Sequence, residues 1–264
     1  MIERPIHLSE IEKILLFKKW CKDHEVERII FDGDDTLWGT SCIFDQYIDE
    51  CSLYLAGVSG TPADEWAIRI RKVNNKLYES HSVNPNKWNL VMDEVALQTD
   101  MPTLHYEQSL DILAKIYQTP PQFLPEAEES LEFLRKTGFP MGVVTHANEE
   151  WTRFKNQVLR LVRFFDWDDI CIIDENGHKT KETWGKAFKF FGVKPENCLV
   201  VGDSPRSDII PAFENGVRQL FLVQSGPVWS TQDRPVDPIV RRISSLKELT
   251  NLGQEVLTRT AKTI

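Results

Sequence analysis

Short apolar runs that stop abruptly at polar or acidic residues recur along this chain, and they constrain its fold more than any other feature. Residues 28–31, 141–144, 171–173 and 198–201 are brief and almost wholly apolar, the pattern of strands buried on both faces of a parallel sheet. Residues 219–223 supply a fifth such run. Helix-patterned segments separate them at 126–136, 149–164, 181–191 and 209–215. This alternation predicts an α/β fold with a doubly wound parallel sheet, and such sheets hold ligands at the carboxyl ends of their strands.

The interval between the first and second runs breaks the alternation. From 44 to 122 the sequence reads as helical throughout, divided by Gly- and Pro-rich breaks at 57–62, 84–86 and 119–121. The expected organisation is therefore a core made of 1–43 and 123–264, with an inserted helical domain of 44–122. Near the N-terminus, Ile11, Ile14, Leu15, Phe17 and Trp20 fall close to helical spacing behind Ser9, a plausible N-cap.

Composition narrows the function classes. The 264 residues are 41% hydrophobic, enough for one substantial core plus an insert. A net charge of −9 and the lack of a long basic run argue against a dedicated nucleic-acid binder. Charges interrupt the apolar part of the N-terminal segment, so it reads as neither a signal sequence nor a membrane span. The five cysteines are scattered, with no CxxC pair, which favours reduced thiols and a cytoplasmic location.

The chemistry is concentrated where the apolar runs end. The first run leads into Asp32-Gly33-Asp34-Asp35-Thr36-Leu37, placing carboxylates at the ligand-binding edge of the sheet. On its own such a cluster reads equally as an acidic turn capping the next helix. The run at 198–201 leads into a second acidic loop, Gly202-Asp203-Ser204-Pro205-Arg206-Ser207-Asp208. In a parallel sheet the two loops share an edge, and a hard divalent cation with oxygen ligands, Mg²⁺ above all, offsets their repulsion. Thr145 follows the second run and Lys179 precedes a helix, giving a hydroxyl and an ammonium for a phosphate.

This ordered set resembles the four signature motifs of the haloacid dehalogenase superfamily, over roughly residues 28–223. Asp32, Asp34 and Thr36 match the first motif, Thr145 the second, Lys179 the third, and Gly202, Asp203 and Asp208 the fourth. The resemblance implies a Mg²⁺-dependent phosphatase acting on a small phosphorylated substrate; the charge and the lack of an apolar span already point to no nucleic-acid or membrane partner. It implies Asp32 as the nucleophile that becomes an aspartyl phosphate, and Asp34 as general acid and then base. Thr145 and Lys179 would hold the phosphoryl oxygens, with His146 a possible substrate contact. The metal would be held by Asp32, Asp203 and the backbone carbonyl of Asp34, with Asp208 either near the metal or orienting Lys179. The helical insert resembles the family's cap, which closes over the active site.

Asp34 separates this reading from true dehalogenases, whose halide leaving group needs no proton. Phosphomutases share Asp34 and remain an alternative, as do a phosphoprotein phosphatase and a binding protein that keeps the fold without turnover. The sequence departs from the family pattern in two places: Gly33 replaces a large apolar residue, and His146-Ala147 replaces Asn-Gly. In the insert, Arg69, Arg71, Lys72 and Lys76 are candidate anion contacts or a solvated helix face. Trp38 is a candidate for the pocket wall or for packing beneath the cap.

Overall fold

The computed structural model describes residues 8–81, 85–174, 177–224 and 239–254. Strands β1 (Arg28–Phe31), β4 (Met141–His146), β5 (Ile170–Ile173), β6 (Cys198–Gly202), β7 (Gln219–Val223) and β8 (Arg241–Ile243) form a sheet in the order β5-β4-β1-β6-β7-β8. Every pairing in it is parallel. The five apolar runs are all strands; β8, with two arginines in three residues, gave no apolar signal and sits at the edge.

Alternation along each strand builds two cores. Ile29 and Phe31 face one side with Val143, Leu199, Val201, Phe221 and Val223. Ile30 faces the other with Val144, Val200, Leu220 and Leu222. The first side is covered by α1 (Glu10–Asp23) and α6 (Ala127–Thr137), which bring Phe17, Trp20, Leu131 and Leu134. The second is covered by α8 (Lys181–Phe190) and α9 (Ile210–Glu214), through Trp184, Ala187, Phe188 and Ala212. Ser9 does cap α1, in a reciprocal box with Glu12.

The insert comprises α2 (Ser41–Ser59), α3 (Ala63–His81), α4 (Lys87–Thr99) and α5 (Thr103–Ala114). These helices bury a cluster of their own that includes Trp66, Ile70, Trp88, Val91 and Leu113. The break expected at 57–62 begins later: α2 runs through Gly57 to Ser59, and Gly60 ends it with φ 76°, a left-handed cap that glycine accepts without steric cost. Within the expected break at 84–86, residue 84 lies outside the described residues. Where the chain leaves and re-enters the core, β2 (Trp38–Gly39) pairs antiparallel with β3 (Gln122–Phe123), tying the two connections together. Among the described residues no helix is long and apolar enough to cross a membrane, and all five cysteines are free.

Candidate active site

The central strand β1 lies between β4 and β6, so three adjacent strand ends deliver Asp32, Thr145 with His146, and Asp203 to one edge. Asp32, Asp203 and Asp208 are buried, and each offers a carboxylate oxygen within 4.8 Å of the others. Asp208 reaches this cluster by folding back over Gly202. A Cβ at position 202 would lie 2.4 Å from the Asp208 Cβ, so only glycine leaves room there. Asp208 Oδ2 accepts from the Ser204 amide at 3.0 Å, while Oδ1 lies 2.6 Å from Lys179 Nζ.

Lys179 also donates to Asp32 in a close contact and to the Val144 carbonyl at 3.2 Å. Burial alone would lower its pKa, but Asp208 and Asp32 outweigh burial and hold the ammonium above its ordinary value. One ammonium does not neutralise three carboxylates. Burial, reinforced by Asp208 and Asp34 and opposed by Lys179, pushes the Asp32 carboxyl up to about 7. Burial and then the neighbouring Asp32 raise Asp203 well above the carboxylate range. A hard divalent cation fits this donor set, because it takes carboxylate oxygens and would offset the burial and the mutual repulsion that together raise both groups. Beside the cluster, Thr145 Oγ1 is buried with no hydrogen-bond partner among the described residues, a donor available to a bound oxyanion.

The other two acidic residues of the first loop do different work. Asp35 is buried and accepts from the amides of Thr40 and Ser41, both at 3.0 Å, so it caps the start of α2. The acidic-turn reading therefore holds for Asp35 alone. The Asp34 carboxylate stands outside the cluster of three and is gripped by two donors. Trp38 Nε1 lies 2.5 Å from its Oδ1, and Lys155 Nζ lies 2.8 and 3.0 Å from its two oxygens.

Trp38 explains the departure at Gly33. Its buried indole lies across the loop, where a Cβ on residue 33 would come within 2.5 Å of the ring. The aromatic bulk is thus supplied from position 38. Lys155 was not anticipated from sequence. It lies on α7 (Glu149–Leu159), fully buried, with its ammonium 4.0 Å from the Trp151 ring centroid. The signal was present: Lys155 is four residues from Trp151 and from Leu159, both buried, so it occupies the apolar face of its helix.

His146 ends β4, and Tyr78 of α3 lies against it with Oη 3.5 Å from Nδ1. The same tyrosine ring packs on His178 at 4.8 Å between centroids. One insert residue therefore touches the neighbours of both Thr145 and Lys179. The cationic row on α3 is not part of this contact. Arg71 pairs with Asp45 and Asp49 at 2.8 and 2.9 Å, and Lys76 with Glu94 at 2.9 Å. Arg69 lies over Trp66 and Lys72 is exposed, so the row is a solvated, ion-paired face.

The ordered strand-end residues on an open parallel sheet define a class, and comparison with known families agrees: residues 26–216 match the haloacid dehalogenase-like hydrolases, and the chain belongs to that family. Among curated proteins it is similar to a glyceraldehyde 3-phosphate phosphatase from Pyrococcus furiosus, 32% identical over 103 residues, 38% of this chain and 41% of that protein. A phosphoglycolate phosphatase from Pseudomonas savastanoi pv. phaseolicola is 32% identical over 121 residues, 44% of this chain and 43% of that protein. The chain thus matches less than half the length of these relatives. A haloacid dehalogenase-like hydrolase from Xanthomonas campestris shares the fold, with TM-score 0.71 at 14% identity over 91% of this chain and 95% of that one. So does a magnesium-bound HAD-hydrolase from Bacillus subtilis, with TM-score 0.63 at 17% identity over 87% of this chain and 99% of that one.

Proposed function

We propose that this protein is a Mg²⁺-dependent phosphatase that hydrolyses a small phosphate monoester through an aspartyl phosphate on Asp32. The observation that carries the reading is the buried set of Asp32, Asp203, Asp208 and Lys179 beside the unpartnered Thr145 hydroxyl. Thr145 Oγ1 and Lys179 Nζ bind phosphoryl oxygens and hold the phosphorus facing Asp32. Asp32 attacks phosphorus, the ester oxygen leaves with a proton from Asp34, and Asp34 then takes a proton from the water that cleaves the acyl phosphate. Lys155 and Trp38 fix the direction of the Asp34 carboxylate for both transfers.

Mg²⁺ would be held by the Asp32 and Asp203 carboxylates and the Asp34 backbone carbonyl, where it neutralises charge on the transferring group. Asp208 is assigned to orienting Lys179, at the margin of the metal site. The insert serves as a cap over the strand-end loops, with His146 on the substrate side. The contact of Tyr78 with His146 and His178 favours small esters over phosphoproteins, since it brings the insert down onto the catalytic edge.

The test is release of p-nitrophenol from p-nitrophenyl phosphate by wild type and Asp32→Asn, each with Mg²⁺ or with EDTA. Wild type with Mg²⁺ turns over, and the other three conditions do not. Equal rates with and without metal, or from Asp32→Asn, would count against the proposal.

A further inference from the structure

Lys87 is the first residue of α4, on the apolar side of the insert, and only 2% of its surface is exposed. Buried lysines are ordinarily paired with a carboxylate. Among the described residues, none pairs with Lys87. Its ammonium instead lies between aromatic faces, 5.1 Å from the Tyr78 ring centroid and 5.9 Å from that of Trp88. Burial without a compensating anion lowers its pKa to about 8. The α4 N-terminus adds its partial positive charge at the same place.

The position of this cation is what gives it a function. The ring under the Lys87 ammonium is that of Tyr78, the residue that touches His146 beside Thr145 and His178 beside Lys179. Lys87 therefore lies behind Tyr78, the ring that touches the residues next to Thr145 and Lys179, on the insert side.

We infer that Lys87 is the receptor for a second anionic group on the substrate, so that the preferred ester carries a carboxylate or another phosphate on the carbon chain beyond the transferring phosphoryl group. The inference rests on the phosphatase reading for the site but not on any one substrate. Among the described residues the aromatic faces of Tyr78 and Trp88 are its neighbours and no carboxylate is, so an anion brought there meets an uncompensated cation. A neutral alkyl phosphate fits the cradle but leaves this cation uncompensated.

The experiment uses the Mg²⁺-loaded full chain and three short alkyl phosphates matched in length, ended by a carboxylate, a phosphate or a neutral amide. The ratio of kcat/KM for each anionic ester to that for the neutral ester is measured for wild type and Lys87→Met. Both esters are read on one preparation, so partial unfolding cancels in the ratio. Wild type prefers at least one anionic ester by about tenfold or more, and Lys87→Met loses most of that preference, chiefly through KM. Which anionic ester is preferred separates a carboxylate from a phosphate ligand. An unchanged ratio in Lys87→Met, or no preference in wild type, would overturn the assignment.

Calorimetric binding of the same three esters to Asp32→Asn is read separately. Anion-selective binding that Lys87→Met abolishes, without turnover by wild type, would sink the phosphatase reading and keep the Lys87 site. Turnover without anion selectivity would do the reverse.

Discussion

Replacing Lys87 by Met should stabilise this protein at neutral pH, although it removes a charge from its interior. Methionine has nearly the same length and volume, so the change deletes the ammonium without opening a cavity. The Lys87 pKa falls from an ordinary 10.5 to about 8 on folding. At about 1.4 kcal/mol per pKa unit, keeping the protonated lysine in its site costs about 3 kcal/mol. The Tyr78 and Trp88 faces return roughly 0.5–1 kcal/mol each. The expected gain for Lys87→Met at pH 7 is therefore about 2 kcal/mol, or a rise in Tm of about 4–8 °C.

Its pH dependence has a definite sign. A lysine whose folded pKa lies below its unfolded pKa carries its full burial cost below about 8, where both states are protonated. The cost fades as pH rises toward 10.5, because the folded protein has already lost the proton that the unfolded chain still holds. The variant's advantage should thus be greatest at pH 7 and nearly gone at pH 10.5. Urea unfolding of both proteins at pH 7, 9 and 10.5 measures it, and other titrating groups cancel in the difference. A variant less stable than wild type at pH 7, or an advantage that does not change with pH, would refute the reasoning.

Three further outcomes follow from the site. Lys155→Met frees the Asp34 carboxylate from its main anchor and should lower kcat by about 10–100-fold with KM little changed, read by steady-state kinetics; a kcat within twofold of wild type would show that Asp34 needs no such anchor. Gly33→Ala drives a methyl into the Trp38 indole and should cost about 1–3 kcal/mol in urea, with less cost in a Trp38→Phe background; equal costs in both backgrounds would place the clash elsewhere. EDTA should lower Tm and added Mg²⁺ restore it in wild type but not in Asp203→Ala, because ligand binding to the folded state alone stabilises it.

Much of this architecture is legible in the sequence, for identifiable reasons. Strands β1, β4, β5, β6 and β7 are buried on both faces, so their residues must be apolar and the runs stand out. The candidate site residues lie at their ends, where the chain turns polar within one residue, as at Phe31-Asp32 and Gly202-Asp203. The elements that escaped notice lack such contrast. The β2–β3 ribbon is two residues long on each side and joins positions far apart in the chain. Strand β8 is an edge strand of charged composition.

Among the site residues, Lys155 and Lys87 were hard to see because a lysine within a helix ordinarily faces water. Lys155 could have been found from its spacing to Trp151 and Leu159. Lys87 had no such signal, since only the packing of α3 against the start of α4 brings Tyr78 over it. Likewise, the pairing of Gly33 with Trp38 is a matter of how the loop folds back, and neither residue alone points to the other.

The central claim is that Asp32 is phosphorylated during turnover. Reacting the Mg²⁺-loaded protein with a phosphate ester carrying radiolabelled phosphorus, quenching in acid within the first turnover and mapping the labelled peptide tests it directly. The account predicts a hydroxylamine-sensitive label on the peptide that contains Asp32, absent from Asp32→Asn. Turnover that leaves no label on Asp32, or that persists in Asp32→Asn, would contradict it.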